Sequence, residues 1–359
     1  MHQRMQYHQR MEKVKLSVLD LAMATDGDTT SVALDNATRL AQRADDLGFF
    51  RFWVAEHHNM QTVASTNPAV LIAHLALKTS RIRLGSGGVM LPNHAPLVIA
   101  EQFALLEALH PNRIDLGIGR APGSDQHTAA ALRRSPNNHD AQNFPMNLVD
   151  LMGLLGDVRA DQGAWEHLSA TPAATTYPDI HLLGSSNFSA ELSGMLGLPF
   201  VFANHFDTGG TLEAVQIYRD NFKPSPILDM PFIIVTAAVI VSDTSEEAEW
   251  ESGPSRLRKY GMRTGQRHPL LSPEAANAHP DFPAAKAMPS NSFIGTAHEV
   301  LKNLTSLQKA TQANELMIST STYSIQNRIK TLELLSAAWK SDVTKDSKGV
   351  QEVEILEKI

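Results

Sequence analysis

RIRLGSGGVMLPNH, residues 81–94, runs directly into APLVIAEQFALLEAL, residues 95–109. The pair reads as one strand, one glycine-rich polar loop and one helix. Residues 81–85 form a short apolar-polar strand run, and residues 97–109 carry apolar positions at helical spacing up to a stop near Pro111. The same unit recurs in both directions. Residues 14–19 and 50–54 predict strands one and two, and residues 113–118, 179–183, 199–203, 232–241 and 316–319 predict strands four to eight. Between the first two lies a helix over 31–47, with Leu34, Ala37, Leu40, Ala41 and Ala44 on one face and Gly48 to end it. Asn67 and Pro68 make an N-cap and first turn for a helix reaching about Lys78. Further helices are predicted over 140–155, 187–196, 211–222, 325–339 and from a cap at Asp243 or Thr244 into the acidic run Glu246, Glu247 and Glu249.

Strands alternating with helices define an α/β protein. A doubly wound open sheet has the same rhythm. The count of eight, without a clean domain break, favours one closed (β/α)8 TIM barrel with insertions over residues 13–342, with peripheral tails at 1–12 and 343–359. The extra length sits at 156–178 and 260–292. With 31 Lys and Arg against 38 Asp and Glu, the net charge of -7 speaks against a nucleic-acid surface. No run of 18 apolar residues exists, so no membrane span is expected, and the polar start has no apolar core of a secretory signal. Cysteine is absent, which excludes disulfides, thiolate catalysis and cysteine-ligated metals and suits a cytoplasmic location.

In a barrel the chemistry lies where strands end. After strand two comes Glu56-His57-His58-Asn59. Alternation places the two histidines on different sides, so one imidazole can face a site as proton carrier while the other supports it. Two hydrogen-bonded loop histidines explain the same residues. A zinc set completed by His74, His94, His127 or His205 is conceivable among 15 histidines, but no ligand spacing supports it and no metal is expected. After strand three, Gly85-Ser86-Gly87-Gly88 offers either close backbone approach to a flat ligand or a tight turn. After strand four, Arg120 can fork onto a phosphate or carboxylate, or pair with Asp125. After strand five, Ser185, Ser186, Asn187 and Ser189 surround a helix start, which can be an anion site or an ordinary cap. Arg120 on the neighbouring strand makes a shared phosphate site possible. Neither a P-loop nor a GxGxxG fingerprint is present.

These segments, RFWVAEHHNM, RIRLGSGGVMLPNHAPLVIAEQ, ALHPNRIDLGIGRAPGSDQ and HLLGSSNFSAELSGMLGLPFVFA, taken in order, resemble the luciferase-like flavin-dependent monooxygenases, in particular their alkanal-monooxygenase-like branch. The resemblance runs from about Lys13 to Trp339. It implies the bacterial luciferase-like barrel, with FMN at the C-terminal face, delivered reduced by a separate NAD(P)H:flavin reductase, and O2 and a small organic molecule as co-substrates. It implies His57 as the catalytic residue, a non-proline cis peptide at Ser86-Gly87, and cofactor contacts from Ser86, Gly87, Arg120, Ser185, Ser186 and Ser189. Glu56, His58 and His94 fall to the substrate side or to support. Ser185 replaces an acid of bacterial luciferase, and Gly119 replaces its reactive cysteine. A homodimer is expected. Two alternatives share the fold: an F420-dependent hydride-transfer enzyme, and a non-catalytic flavin-binding partner subunit. Light emission is not expected as a role.

Overall fold

The computed structural model describes residues 14–121, 123, 125–133, 142–157, 159, 163–206, 209–266 and 268–356. Its strands are β1 (Lys15–Asp20), β2 (Arg51–Val54), β3 (Arg83–Met90), β4 (Ile114–Gly119), β5 (Asp179–Gly184), β6 (Phe200–Phe202), β7 (Ile233–Ser242), β8 (Phe293–Thr296) and β9 (Glu315–Ser319). All pair in parallel. β1 to β7 follow one another around the sheet, β7 pairs with β9, and β9 pairs with β1, which closes an eight-stranded barrel. The open-sheet alternative is thereby excluded. β8 is the strand that sequence rhythm did not reveal. It lies outside the closure, against the upper half of the ten-residue β7, with Val239 beside Phe293 and Ser242 beside Thr296.

The helices form where their caps and stripes direct. α1 (Thr30–Leu47) starts on the Thr29 hydroxyl, which accepts from the Val32 amide, and stops at Gly48 in the left-handed region, φ 78°. α2 (Pro68–Ala76) has the expected Asn67 cap. α3 (Pro96–Leu109) and α5 (Phe144–Leu154) follow the expected runs, while α4 (Gln126–Arg133) was not anticipated; residues 140–141 of the expected helix lie outside the described residues. α6 (Asn187–Met195) and α7 (Thr211–Asn221) follow β5 and β6. Beyond β7 come α8 (Ser245–Glu251), α9 (Gly253–Thr264), α10 (Pro273–Asn277) and α11 (Phe282–Ala287), so the expected insertion is a small helical lid with its own core of Leu257, Ala276 and Ala285. α12 (Ala297–Thr311) opens on a Thr296–Glu299 capping box, and α13 (Ile325–Leu356) closes the chain. Residues 1–13 lie outside the described residues.

Outward strand residues such as Val18, Phe52, Leu84 and Ile118 pack against Leu40, Leu75 and Phe103 of the helices in one continuous core. Each fully buried side chain of this size contributes about 1.5–3 kcal/mol. Inside the barrel, Leu19, Trp53, Val201, Ile234 and Met317 form a middle layer. Gly85 leaves room for it, since a Cβ there would stand 2.5 Å from Trp53 Nε1. The layer nearer the strand starts is charged and largely buried. Arg51 reaches Glu315 through Nε at 2.9 and 3.0 Å and Asp115 through Nη1 at 3.0 Å, all three with no exposed side chain. Arg83 Nη2 bonds Asp115 at 2.6 Å and Asp179 at 2.7 Å, and Trp53 Nε1 donates to Asp115 at 2.8 Å. Burial alone would raise the Asp115 pKa, but the two guanidiniums hold it well below the carboxylate range. His181 completes the set. Its Nδ1 faces the Asp179 carbonyl at 3.0 Å and must carry the proton, which leaves Nε2 to accept from Arg51 at 3.3 Å. Replacing Arg51 by Met would leave buried Glu315 without its cation and Asp115 with one guanidinium instead of two. The variant is expected to lose about 3–5 kcal/mol of stability, measured as a lowered urea midpoint by circular dichroism.

Candidate active site

The C-terminal end of β2 delivers Glu56, and this carboxylate, 1% exposed, organises the mouth. It accepts from the Met90 amide at 3.0 Å and Asn93 Nδ2 at 3.2 Å. His58 Nε2 lies 2.8 Å from it and His94 Nε2 2.9 Å. Burial pushes the Glu56 pKa up, but the bond from His94 and the others outweigh it, and the group stays anionic. Glu56, His58 and His94 are thus tied to one another, and all three support the mouth. Among the described residues no cluster has a metal-site arrangement.

His57 stands apart from this set. Its backbone amide donates to the Ser65 carbonyl at 3.1 Å, while its ring Nδ1 is buried and has no hydrogen-bond partner among the described residues. Burial, then the positive charge of Arg258 in α9, lowers its pKa to about 4, so the ring is neutral at pH 7. Sequence reasoning had assigned no catalytic part to His205, just past β6. Its pKa is about 4, lowered by burial and by the charge of Lys259. Thr236 Oγ1 donates to the Phe202 carbonyl at 3.2 Å, so it accepts from His205 Nδ1 at 2.6 Å. His205 Nε2 is therefore an open acceptor. The rule that strand ends carry chemistry points to His205; nothing in the Arg256, Arg258, Lys259 run tells which cation faces the site. The lid is held over the mouth by the Asp26 amide on the Leu270 carbonyl at 2.9 Å and by Asn291 Nδ2 on the Asn204 carbonyl at 2.7 Å.

Arg120 follows β4, and its guanidinium lies 4.1 Å above the ring centroid of Phe188, in the first turn of α6. Among the described residues it makes no ion pair. Asp125, its alternative partner, instead caps Thr128 in α4 at 2.9 Å. Ser186 is the N-cap of α6, yet its side chain makes no capping bond. Ser185 and Ser186 are exposed, and Ser189 is buried against Gly184, where a Cβ would stand 2.3 Å from Ser189 Oγ. The structure therefore brings Arg120 and the uncapped start of α6 together.

Two expectations at β3 need correction. The non-proline cis peptide is Gly87-Gly88, one bond later than Ser86-Gly87. β3 also runs on to Met90, so the glycines belong to the strand. The Ser86 hydroxyl is fully buried and donates to the Gly117 carbonyl at 2.8 Å, and Gly87 faces Leu19 and Trp53, where a Cβ would lie 2.7 Å from Leu19 Cδ1. The Ser86 side chain serves strand pairing, leaving only backbone there for a ligand. At the opposite, N-terminal end of the barrel lies a cavity of about 460 Å³ bordered by Lys15, Phe50, Arg81 and Trp339, away from these groups.

Residues 14–317 match the luciferase-like monooxygenase family. The chain belongs to that family. YvbT of Bacillus subtilis (strain 168) is 42% identical over 333 residues, covering 91% of this chain and 97% of its own. A luciferase-like monooxygenase of Escherichia coli (strain K12) is 39% identical over 326 residues, covering 89% and 96%. The crystal structure of apo-MsnO8 superimposes with a TM-score of 0.84 at 35% identity, covering 91% of this chain and 99% of that one. The luciferase-like reading of the fold and the flavin-dependent oxidoreductase class both stand.

Acid should weaken this monooxygenase in a definite window. His57, His181 and His205 titrate near 4, 3 and 4 when folded, against an ordinary 6.5. Between pH 6.5 and about 4 the unfolded chain takes up protons that the folded chain refuses. The stability these rings contribute is full above that window and is lost as pH falls through it. The urea midpoint is expected to fall from pH 7.5 to pH 5, with a smaller fall in His205→Gln. A midpoint that rises on acidification would contradict the assignment.

Proposed function

We propose that this chain is the oxygenase component of a two-component FMN monooxygenase, receiving reduced FMN from a separate NAD(P)H:flavin reductase and using O2 on a small organic substrate. The observation that carries the reading is the Arg120 guanidinium stacked on Phe188 at 4.1 Å, beside a helix start that no side chain caps. A planar cation and free amides at a helix start are complementary to a phosphate dianion. The donor set fits FMN: Arg120, the α6 amides, and the hydroxyls of Ser185, Ser186 and Ser189 would hold its phosphate. The buried, unpartnered Nδ1 of His57 leaves a polar group available to the bound ligand.

Bound flavin supplies the two-electron reduction of O2 that monooxygenation needs. The protein supplies position and protons. A neutral His57 at pH 7 can accept a hydrogen bond or pass a proton at Nδ1 or Nε2, depending on its tautomer. Glu56 fixes His58 and His94 and thereby the loop that carries His57. The lid helices exclude water from the mouth.

Flavin-fluorescence titration with FMN, riboflavin and F420, oxidised and reduced, tests the reading. FMN should bind, and Arg120→Met should weaken FMN by about ten- to a hundredfold while riboflavin changes little. Equal FMN affinity in wild type and Arg120→Met would remove the phosphate site, and retention of F420 in place of FMN would favour hydride transfer. His57→Ala should slow reoxidation of the reduced enzyme–FMN complex by about a hundredfold in stopped flow, with FMN affinity almost unchanged. Purified protein that binds FMN yet never consumes O2 with a reductase would be a partner subunit. A cytoplasmic location is proposed on the absence of cysteine, and cell fractionation checks it. A homodimer is likewise proposed. Exposed Val70 on α2, Leu77 at its C-cap, and Val98, Leu105 and Leu109 on α3 support it, and light scattering decides it.

A further inference from the structure

The lid carries a cation without a counter-ion among the described residues. α9 presents Arg256, Arg258, Lys259 and Arg263. Arg256 pairs with Glu249 at 2.9 Å and bonds the Ser252 hydroxyl at 2.9 Å. Lys259 reaches Ser290 Oγ at 3.3 Å. Among the described residues Arg258 makes no hydrogen bond and no ion pair, although it is half-buried beside fully buried Leu257. Arginine in such surroundings is ordinarily paired, because desolvating a lone guanidinium is costly.

The position of Arg258 makes the missing partner informative. Its charge lowers the His57 pKa by more than the adjacent Glu56 carboxylate raises it. Lys259, the next residue, acts in the same way on His205, which in turn senses His57. The geometry agrees: Lys259 bonds Ser290, and the next residue, Asn291, bonds the Asn204 carbonyl beside His205, so this turn of α9 lies over the end of β6 at the mouth. Other unsatisfied polar atoms belong to the same surroundings: His57 Nδ1 on the barrel side and Asn291 Oδ1 at the return of the lid, whose Nδ2 is bonded to Asn204. The phosphate-type site is a different one, formed by Arg120 and α6, and the two arginines share no partner among the described residues.

We infer that Arg258 is the receptor for an anionic group of the substrate, so that the substrate is a small organic acid. Its carboxylate forks onto Arg258 beneath α9, and its reacting portion lies toward His57. A guanidinium is matched to a carboxylate by two parallel N–H bonds, and pairing in a site closed from water is stronger than in solvent. The oxygenation of that acid rests on the function proposed above; the anion site itself does not.

The full-length chain, with and without FMN, is labelled at histidine Cε1 and titrated by NMR with hexanoate and with the neutral hexanamide. His57→Gln identifies the His57 resonance. In wild type, hexanoate should shift the His57 signal saturably and raise its pKa, because an anion at Arg258 cancels the positive charge that adds to burial in depressing it. Hexanamide should bind about tenfold or more weakly. Arg258→Met should bring the two probes within about twofold of each other, and Arg258→Lys should retain part of the preference. Equal binding of both probes by wild type overturns the inference, as does a preference that survives in Arg258→Met. A roughly tenfold loss of FMN affinity in Arg258→Met would also overturn it, placing Arg258 on the cofactor. If FMN fails to bind wild type while the hexanoate preference persists in the apoprotein, the flavin reading falls and the acid site stands. Should Arg258→Met not fold, the wild-type comparison and Arg258→Lys decide the matter.

Discussion

Arg51 is the interaction on which the barrel depends. From β2 it reaches β9 through Glu315 and β4 through Asp115, and it donates to His181 of β5. Four strands that are distant in sequence are thereby tied through one guanidinium in a buried interior. Hydrophobic contacts pack the outside of the sheet and fix which residues face it. A forked cation with fixed donors adds to that constraint, because a one-residue slip would point Arg51 outward, away from Glu315 and Asp115. Gly85 belongs to the same constraint. Without a side chain there, Trp53 can lay its indole against Asp115 and become the carboxylate's third hydrogen-bonding partner after the two arginines.

The electrostatics of the two barrel ends are opposite in kind. At the N-terminal end cations and carboxylates are matched, and the one histidine among them is neutral with both nitrogens engaged. At the C-terminal end the carboxylate Glu56 is fully engaged by its neighbours, two histidines are neutral with nitrogens left over, and Arg120 and Arg258 have no acid partner among the described residues. Matched charge reads as structure. Unmatched cations around neutral imidazoles read as a place prepared for anions brought from outside.

Much of this was legible in the chain. The strand ends, the His57 and His58 division, and the meeting of Arg120 with the start of α6 all follow from local patterns: alternation, a helix-start composition and adjacency of consecutive strands. The glycine run at β3 was less transparent, because a flat-ligand approach and a packing vacancy demand the same small residues. Only the indole of Trp53, 32 positions earlier, distinguishes them. β8 escaped notice since four residues on the outside of a barrel have no periodicity to show. Arg258 was invisible for a different reason. A counter-ion is a three-dimensional fact, and the sequence lists Arg256, Arg258 and Lys259 without saying that Glu249 takes the first.

The outer pairing of β8 with β7 has a bearing on how such enzymes diverge. The chain leaves the wall at Ser242 and rejoins it at Phe293, two points whose separation is set by ladder hydrogen bonds. Everything between them is a cassette with fixed terminals and a private core. Its interior can be rewritten, or exchanged for that of a relative, while the cylinder beneath keeps its register. Selectivity and scaffold are therefore separately heritable in this architecture.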